Sequence, residues 1–267
     1  MAIDIATRFD KNDRRLGFNF AGMMLRDRYL GTGLGVFWAI AQPLSLIAVF
    51  VFVFTYIFKN RLGIEGETEL SFIIWMVSGY GPWLAINEGL MGGTNAVVGQ
   101  TGIVKNMAFK TELLPIAATS LGLMPLLVCV AVLTVLIFMD GRVPNATWAI
   151  LPVVLFFQML FVSGLGLILG AFNVFVRDIA FALPSLLTML LFLSPVFYPI
   201  TLYPEYLREI VQWNPIFVIA NGYRMPIVEN QLPPLIQLAY LAVVSIITFL
   251  LGLAVFRRLK PYFHGRL

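Results

Sequence analysis

The stretch 113-LLPIAATSLGLMPLLVCVAVLTVLIFM-139 runs for 27 residues without one Asp, Glu, Lys or Arg. A helix needs about 20 consecutive apolar residues to cross the hydrocarbon core of a bilayer. The stretch therefore reads as a spanning helix over 114–139. Five further uncharged runs flank it, at 29–58, 70–87, 143–176, 179–204 and 230–256. They predict spans at 34–58, 71–94, 149–175, 180–199 and 235–256. Composition agrees, with 60% hydrophobic and only 12% charged residues. Soluble domains carry about 25% charged residues because their surfaces face water. The expected fold class is an all-α integral membrane protein with six transmembrane helices.

Lys and Arg set the orientation, because they accumulate on the cytoplasmic side. Six spans put both termini on one side, together with the loop 95–113 and Arg177; that side holds 13 of the 18 Lys and Arg residues. The other holds Lys59, Arg61, Arg142, Arg208 and Arg224. Both termini are expected in the cytoplasm. The basic residues explain the net charge of +4 topologically, without nucleic acid. No apolar run precedes the basic residues of 1–28, so this segment does not read as a cleavable signal.

The flanks divide the chain into a cytoplasmic segment 1–33, a six-span domain 34–256 and a tail 257–267. Residues 11–30 mix Arg and Lys with Leu16, Phe18, Phe20, Met23, Met24 and Leu25. This pattern suits a helix lying in the membrane interface; a solvated helix is the alternative. The external segment 200–230 is too long for an ordinary loop. Short re-entrant helices are expected there, with protein satisfying their backbone.

Catalytic chemistry has little to work with. One cysteine, Cys129, and one histidine, His264, cannot build a disulfide or a Cys/His metal site. The cluster Gly31-Thr32-Gly33-Leu34-Gly35 lacks the Lys-Ser/Thr of a phosphate loop, so energy must come from a partner. Glu88 is the one ionisable residue within a span. Such residues are costly in lipid and usually functional; the alternative is a carboxyl held by Asn87 and Asn95. Trp38, Tyr56, Tyr80 and Trp83 offer aromatic faces on which sugar rings stack, and together with Glu88 they are the candidate channel lining. Helix packing competes evenly with that reading. Gly166-xxx-Gly170 and Gly89-xxx-Gly93 permit close helix approach and are weak signals of dimerisation.

Four stretches, taken in order, resemble the membrane subunits of type 2 ABC exporters of O-antigen, capsule or teichoic acid. The first is Arg26-Asp27-Arg28-Tyr29 with Leu34-Gly35-Val36-Phe37-Trp38 and Gln42-Pro43. The second runs from Ile103-Val104-Lys105 through Phe109 to Leu113-Leu114-Pro115. The third is Asn173-Val174-Phe175-Val176-Arg177-Asp178-Ile179. The fourth is Leu193-Ser194-Pro195-Val196-Phe197-Tyr198-Pro199, followed by Asn214-Pro215 and Arg224.

The resemblance implies a homodimeric channel for a lipid-linked polysaccharide in a bacterial cytoplasmic membrane, O-antigen ranking before capsule and teichoic acid. It implies two copies of a separate P-loop ATPase that carries the ATP and Mg²⁺, with no cofactor on this chain. It also implies a coupling helix within 100–112, with Ile103, Val104, Lys105, Phe109 and Lys110 as the contact residues. Many relatives have Phe-Pro where this chain has Phe109-Lys110. Arg26, Arg28, Tyr29 and Arg177 are the candidate cytoplasmic gate, able to meet a lipid pyrophosphate through charge-assisted hydrogen bonds. A stop after the fourth span is an equal reading of Arg177. The rival function is an ion-coupled secondary transporter using Glu88, but the inverted halves it requires are not seen. A membrane transferase would want a convergent acid/base set that the sequence does not offer.

Overall fold

The charge-free stretch 113–139 is helical throughout: α5 (Leu113–Thr119) passes through a 3₁₀ turn at Ser120–Gly122 into α6 (Leu123–Met139). On α6 the residues Leu126, Cys129, Leu133 and Ile137 are buried, whereas Leu127, Val135 and Phe138 are exposed. The buried set follows the helical period, yet the opposite face is equally apolar. That pattern suits a helix with protein on one side and lipid on the other. The structure is a computed structural model that describes residues 10–30, 33–35, 37–57, 69–106 and 109–267.

All six predicted spans are helical, preceded by the expected flanking helix α1 (Lys11–Leu30). Span one is α2 (Phe37–Phe52), extended by a π turn at Val53–Ile57; span two is the 31-residue α3 (Glu69–Gly99). After the short α4 (Thr101–Asn106) and the α5–α6 rod come α7 (Leu151–Asn173), α8 (Asp178–Leu193) and α11 (Leu235–Leu259). By length and composition, Leu113–Met139, Ala146–Asn173 and Leu235–Phe263 can each cross a membrane. Helices α2 and α8 are apolar but shorter.

Helices α3 and α7 form the centre, and glycines bring the backbones together there. A Cβ on Gly93 would stand 2.9 Å from the Cα of Gly166, and one on Gly170 2.7 Å from the Gly93 carbonyl oxygen. The Gly89/Gly93 and Gly166/Gly170 spacings are therefore used inside one chain, not between chains. A second close crossing joins α7 to α11, where a Cβ on Gly164 would lie 2.5 Å from the Thr248 backbone and one on Gly252 would collide with the Gly164 carbonyl. Helices α2 and α8 attach differently. Each buries one stripe, Ala39, Pro43 and Ile47 on α2 and Leu183, Leu187 and Leu191 on α8.

The fifth span departs from its expected bounds of 180–199. Its helix stops at Leu193, and Ser194 is extended (φ −104°, ψ 143°). Pro195 is the cause, because its ring excludes the preceding residue from helical geometry. The following segment, expected to be external, forms a 3₁₀ turn (Ile200–Leu202), α9 (Glu205–Val211), α10 (Pro215–Arg224) and a π turn (Met225–Glu229). Asn214 caps α10, its Oδ1 accepting from Ile216 N at 3.0 Å, with Pro215 in the first helical position.

Helix α10 turns inward. Arg224, counted from sequence as an external loop charge, is in fact only 2% exposed. Its guanidinium donates to the carbonyls of Pro195 (2.9 Å), Val196 and Trp75 (3.4 Å), and it lies 3.7 Å above the Trp75 ring. Nearby, buried Gln158 of α7 donates to the Pro82 carbonyl of α3 at 2.9 Å and accepts from Tyr223 Oη at 2.8 Å. A broken helix at membrane depth survives only where protein satisfies its backbone, and Arg224 does so here.

Candidate functional site: a polar face on the second span

Successive helical turns of α3 place Tyr80, Leu84, Asn87 and Glu88 on one face. With Arg28 of α1 and Gln42 of α2, they line a cavity of about 140 Å³. Arg28 Nη2 meets Glu88 Oε2 at 2.5 Å. The two side chains retain 35% and 22% exposure, so the pair stays wetted. Arg28 also lines a neighbouring groove of about 420 Å³ with Asp27, Asn95 and Gln100. Together the two cavities form a track along α3, polar where Arg28, Asn87 and Glu88 meet and walled mainly by apolar side chains in the larger groove.

The candidate residues distribute unevenly over this track. Glu88 and Arg28, assigned separately to channel and gate, are brought together, and the carboxylate has the cationic partner that its own span lacks. Tyr80 borders the cavity but is only 4% exposed, its ring 5.1 Å from Phe50 and 5.2 Å from Phe197. Trp83, only 2% exposed, is buried in the same core cluster as Tyr80 and does not line the cavity. Trp38 and Tyr56 are exposed, on α2 and on its π turn. Arg26 and Arg177 are also exposed, and neither lines the cavity. The Tyr29 side chain lies outside the described residues.

The loop 100–112, where coupling to an ATPase is expected, has its own construction. Val104 of α4 is buried among Val97, Leu113 and Leu114, Ile103 is half-buried, and Lys105 is exposed. The Phe109 ring packs 5.2 Å from Phe20 of α1. Lys110 Nζ bonds Asp13 Oδ2 of α1 at 2.6 Å. Lys110 is thus an internal brace. That hydrogen bond is the largest cause holding the Asp13 carboxyl below its ordinary value.

A second brace was not foreseen. Glu112 receives Arg257 Nε at 3.2 Å and Lys260 Nζ at 3.1 Å, tying the loop to the C-terminal tail. Glu112 is a carboxylate just ahead of a long apolar run, beside the N-terminus of α5, and that position was the available signal. Burial pushes its pKa up, but its backbone N–H, Lys260 and Arg257 outweigh burial and hold it below the ordinary 4.5. A depressed carboxyl stabilises the fold above its unfolded value and loses that contribution as pH falls through the folded one. Protection of residues 257–267 from hydrogen exchange, taken relative to the unstructured rate at each pH, is expected to be high at neutral pH and to fall below the ordinary carboxylate range. In Glu112→Gln it should be low at both; a variant still protected at neutral pH would remove the brace from consideration.

Against known sequences, the profile of the ABC-2 type transporter family matches residues 22–228. The chain belongs to that family. Among its relatives, the ABC-2 chain is 27% identical to the O-antigen export system permease protein RfbA of Myxococcus xanthus, over 90% of both chains. It is 22% identical to RfbA of Klebsiella pneumoniae, again over 90% of both. The polysialic acid transport protein KpsM of Escherichia coli is 23% identical over 87% of this chain and 89% of its own. The ABC-2 chain is thus a membrane-embedded transport subunit, and the ion-coupled reading of Glu88 is not favoured.

Proposed function

We propose that this chain forms, as a homodimer, the channel of an ATP-driven exporter of a lipid-linked polysaccharide across the bacterial cytoplasmic membrane. The observation that carries this reading is similarity over nine-tenths of the chain to O-antigen export permeases. O-antigen is the first-ranked cargo, and capsular polymer follows from the likeness to KpsM. Two P-loop ATPase subunits bind the ATP and Mg²⁺ and dock beneath the loop 100–112. Both termini lie in the cytoplasm, where most of the Lys and Arg residues fall.

The Arg28–Glu88 pair is the gate in this reading. A pyrophosphate arriving along the groove competes with the Glu88 carboxylate for Arg28, since both accept charge-assisted hydrogen bonds. Purifying the tagged chain from native membranes in mild detergent is expected to recover a stoichiometric P-loop ATPase. Lys105→Glu, on an exposed position of α4, should lower the stimulated ATP turnover of that complex several-fold. Recovery of the chain alone, in membranes that export the polymer, would overturn the reading.

A further inference from the structure

A cavity of about 550 Å³ lies away from the gate, between α1, α5 and α11. That size is typical of sites for small amphipathic ligands. Its walls are Gly17, Phe18 and Ala21 of α1, Ile116 and Ala117 of α5, and Phe249 of α11. Gly17 and Ala21, one turn apart, leave the space open. Phe249 is seven residues ahead of Phe256, where the last span ends, about 10 Å at the helical rise, so the groove runs into the membrane. Arg14 and Asp13 sit at its other end, level with the coupling loop.

The charge at that end is decided by the braces. The Asp13 carboxylate already accepts from Lys110 and from the Asp10 backbone N–H at 2.8 Å. Its negative charge is offset, and Arg14 carries the local balance, with exposed Lys11 and Arg15 on the same turn. An apolar groove running into the leaflet from a cationic rim complements one kind of occupant: a chain ending in an anionic headgroup at the interface. We infer that this groove binds one anionic phospholipid of the cytoplasmic leaflet, with its phosphate on Arg14 and an acyl chain between α1 and α5. Bound there, the lipid fastens α1 against the rod it braces.

The test uses the full chain in nanodiscs holding equal amounts of phosphatidylglycerol and phosphatidylcholine, followed by native mass spectrometry after mild extraction. One retained phosphatidylglycerol per chain is expected. Arg14→Gln should lower its preference over phosphatidylcholine about fivefold, the discrimination of one basic side chain at a membrane surface. Gly17→Leu should abolish retention. A Cβ there finds only Leu113 Cδ2, at 3.8 Å, so the variant has room to fold while filling the groove. An unchanged melting temperature verifies this; if it falls, Arg14→Gln decides alone. Retention that ignores headgroup charge and the applicable variants identifies ordinary surrounding lipid and overturns the inference. So does retention of a pyrophosphate-linked carrier in place of phospholipid, when the chain is extracted directly from native membranes.

Discussion

Arg224→Met is expected to destroy the folded chain, measured as loss of the monodisperse peak in detergent and a large fall in melting temperature. The substitution keeps much of the apolar stem but strips the donors from the carbonyls of Pro195 and Val196, while the Trp75 carbonyl keeps the Ser78 hydroxyl at 2.7 Å. A buried polar group left unsatisfied costs about 1–3 kcal/mol, so these two carry most of the expected loss. Loss of the Trp75 ring contact adds to this. Arg224→Lys should restore only part of the stability, because an ammonium is a point donor and not a planar fork. Gly79→Ala should mimic the defect, since a methyl there would collide with the guanidinium. A Met variant that melts with the wild type would show that water or backbone rearrangement satisfies the break.

Reversing one charge of the Arg28–Glu88 pair is expected to cut polymer export by at least an order of magnitude while leaving the melting temperature nearly unchanged. The separation follows from magnitude. At 35% and 22% exposure the pair meets water, where an ion pair contributes about 0–1 kcal/mol and the like-charge pair that replaces it costs about as much, too little to unfold the chain. Arg28→Glu and Glu88→Arg should therefore assemble with their ATPase and fail in transport. The double reversal is the informative variant. Recovered export would mean that pairing itself closes the gate. Continued failure would mean that the positive charge must stand on α1 to meet the phosphate. Full export in both single variants would reduce the pair to a structural contact.

How much of this was legible beforehand follows from the range of each interaction. The spans were readable because charge-free runs such as 113–139 state their environment residue by residue. The stop at Leu193 was also within reach, since Ser194-Pro195 stood in the text, but an uncharged run to 204 concealed it. Arg224 was misplaced because a charge count sees an Arg near external residues and cannot see three carbonyls gathered from two other segments. The glycine spacings were recognised, but spacing does not say whether the facing helix belongs to the same chain. Arg28 and Glu88 were each singled out, and only tertiary packing joins them. Glu112 and Asp13 passed unnoticed for the same reason: their partners lie at the far end of the chain and in the coupling loop.

The glycine crossings also bear on how this protein can move. Where backbones touch, sliding one helix past another would drive main-chain atoms together, so α3, α7 and α11 travel as a stiff keel. Helix α8 is a stave laid against that keel and α2 one laid mainly against α6, each along a single line of three side chains. Aliphatic side chains can roll and change rotamer, so a stave can tilt where the keel cannot bend. Any widening of a passage beside this chain falls to the staves, and the polar track on α3, fixed to the keel, remains the stationary wall past which they swing.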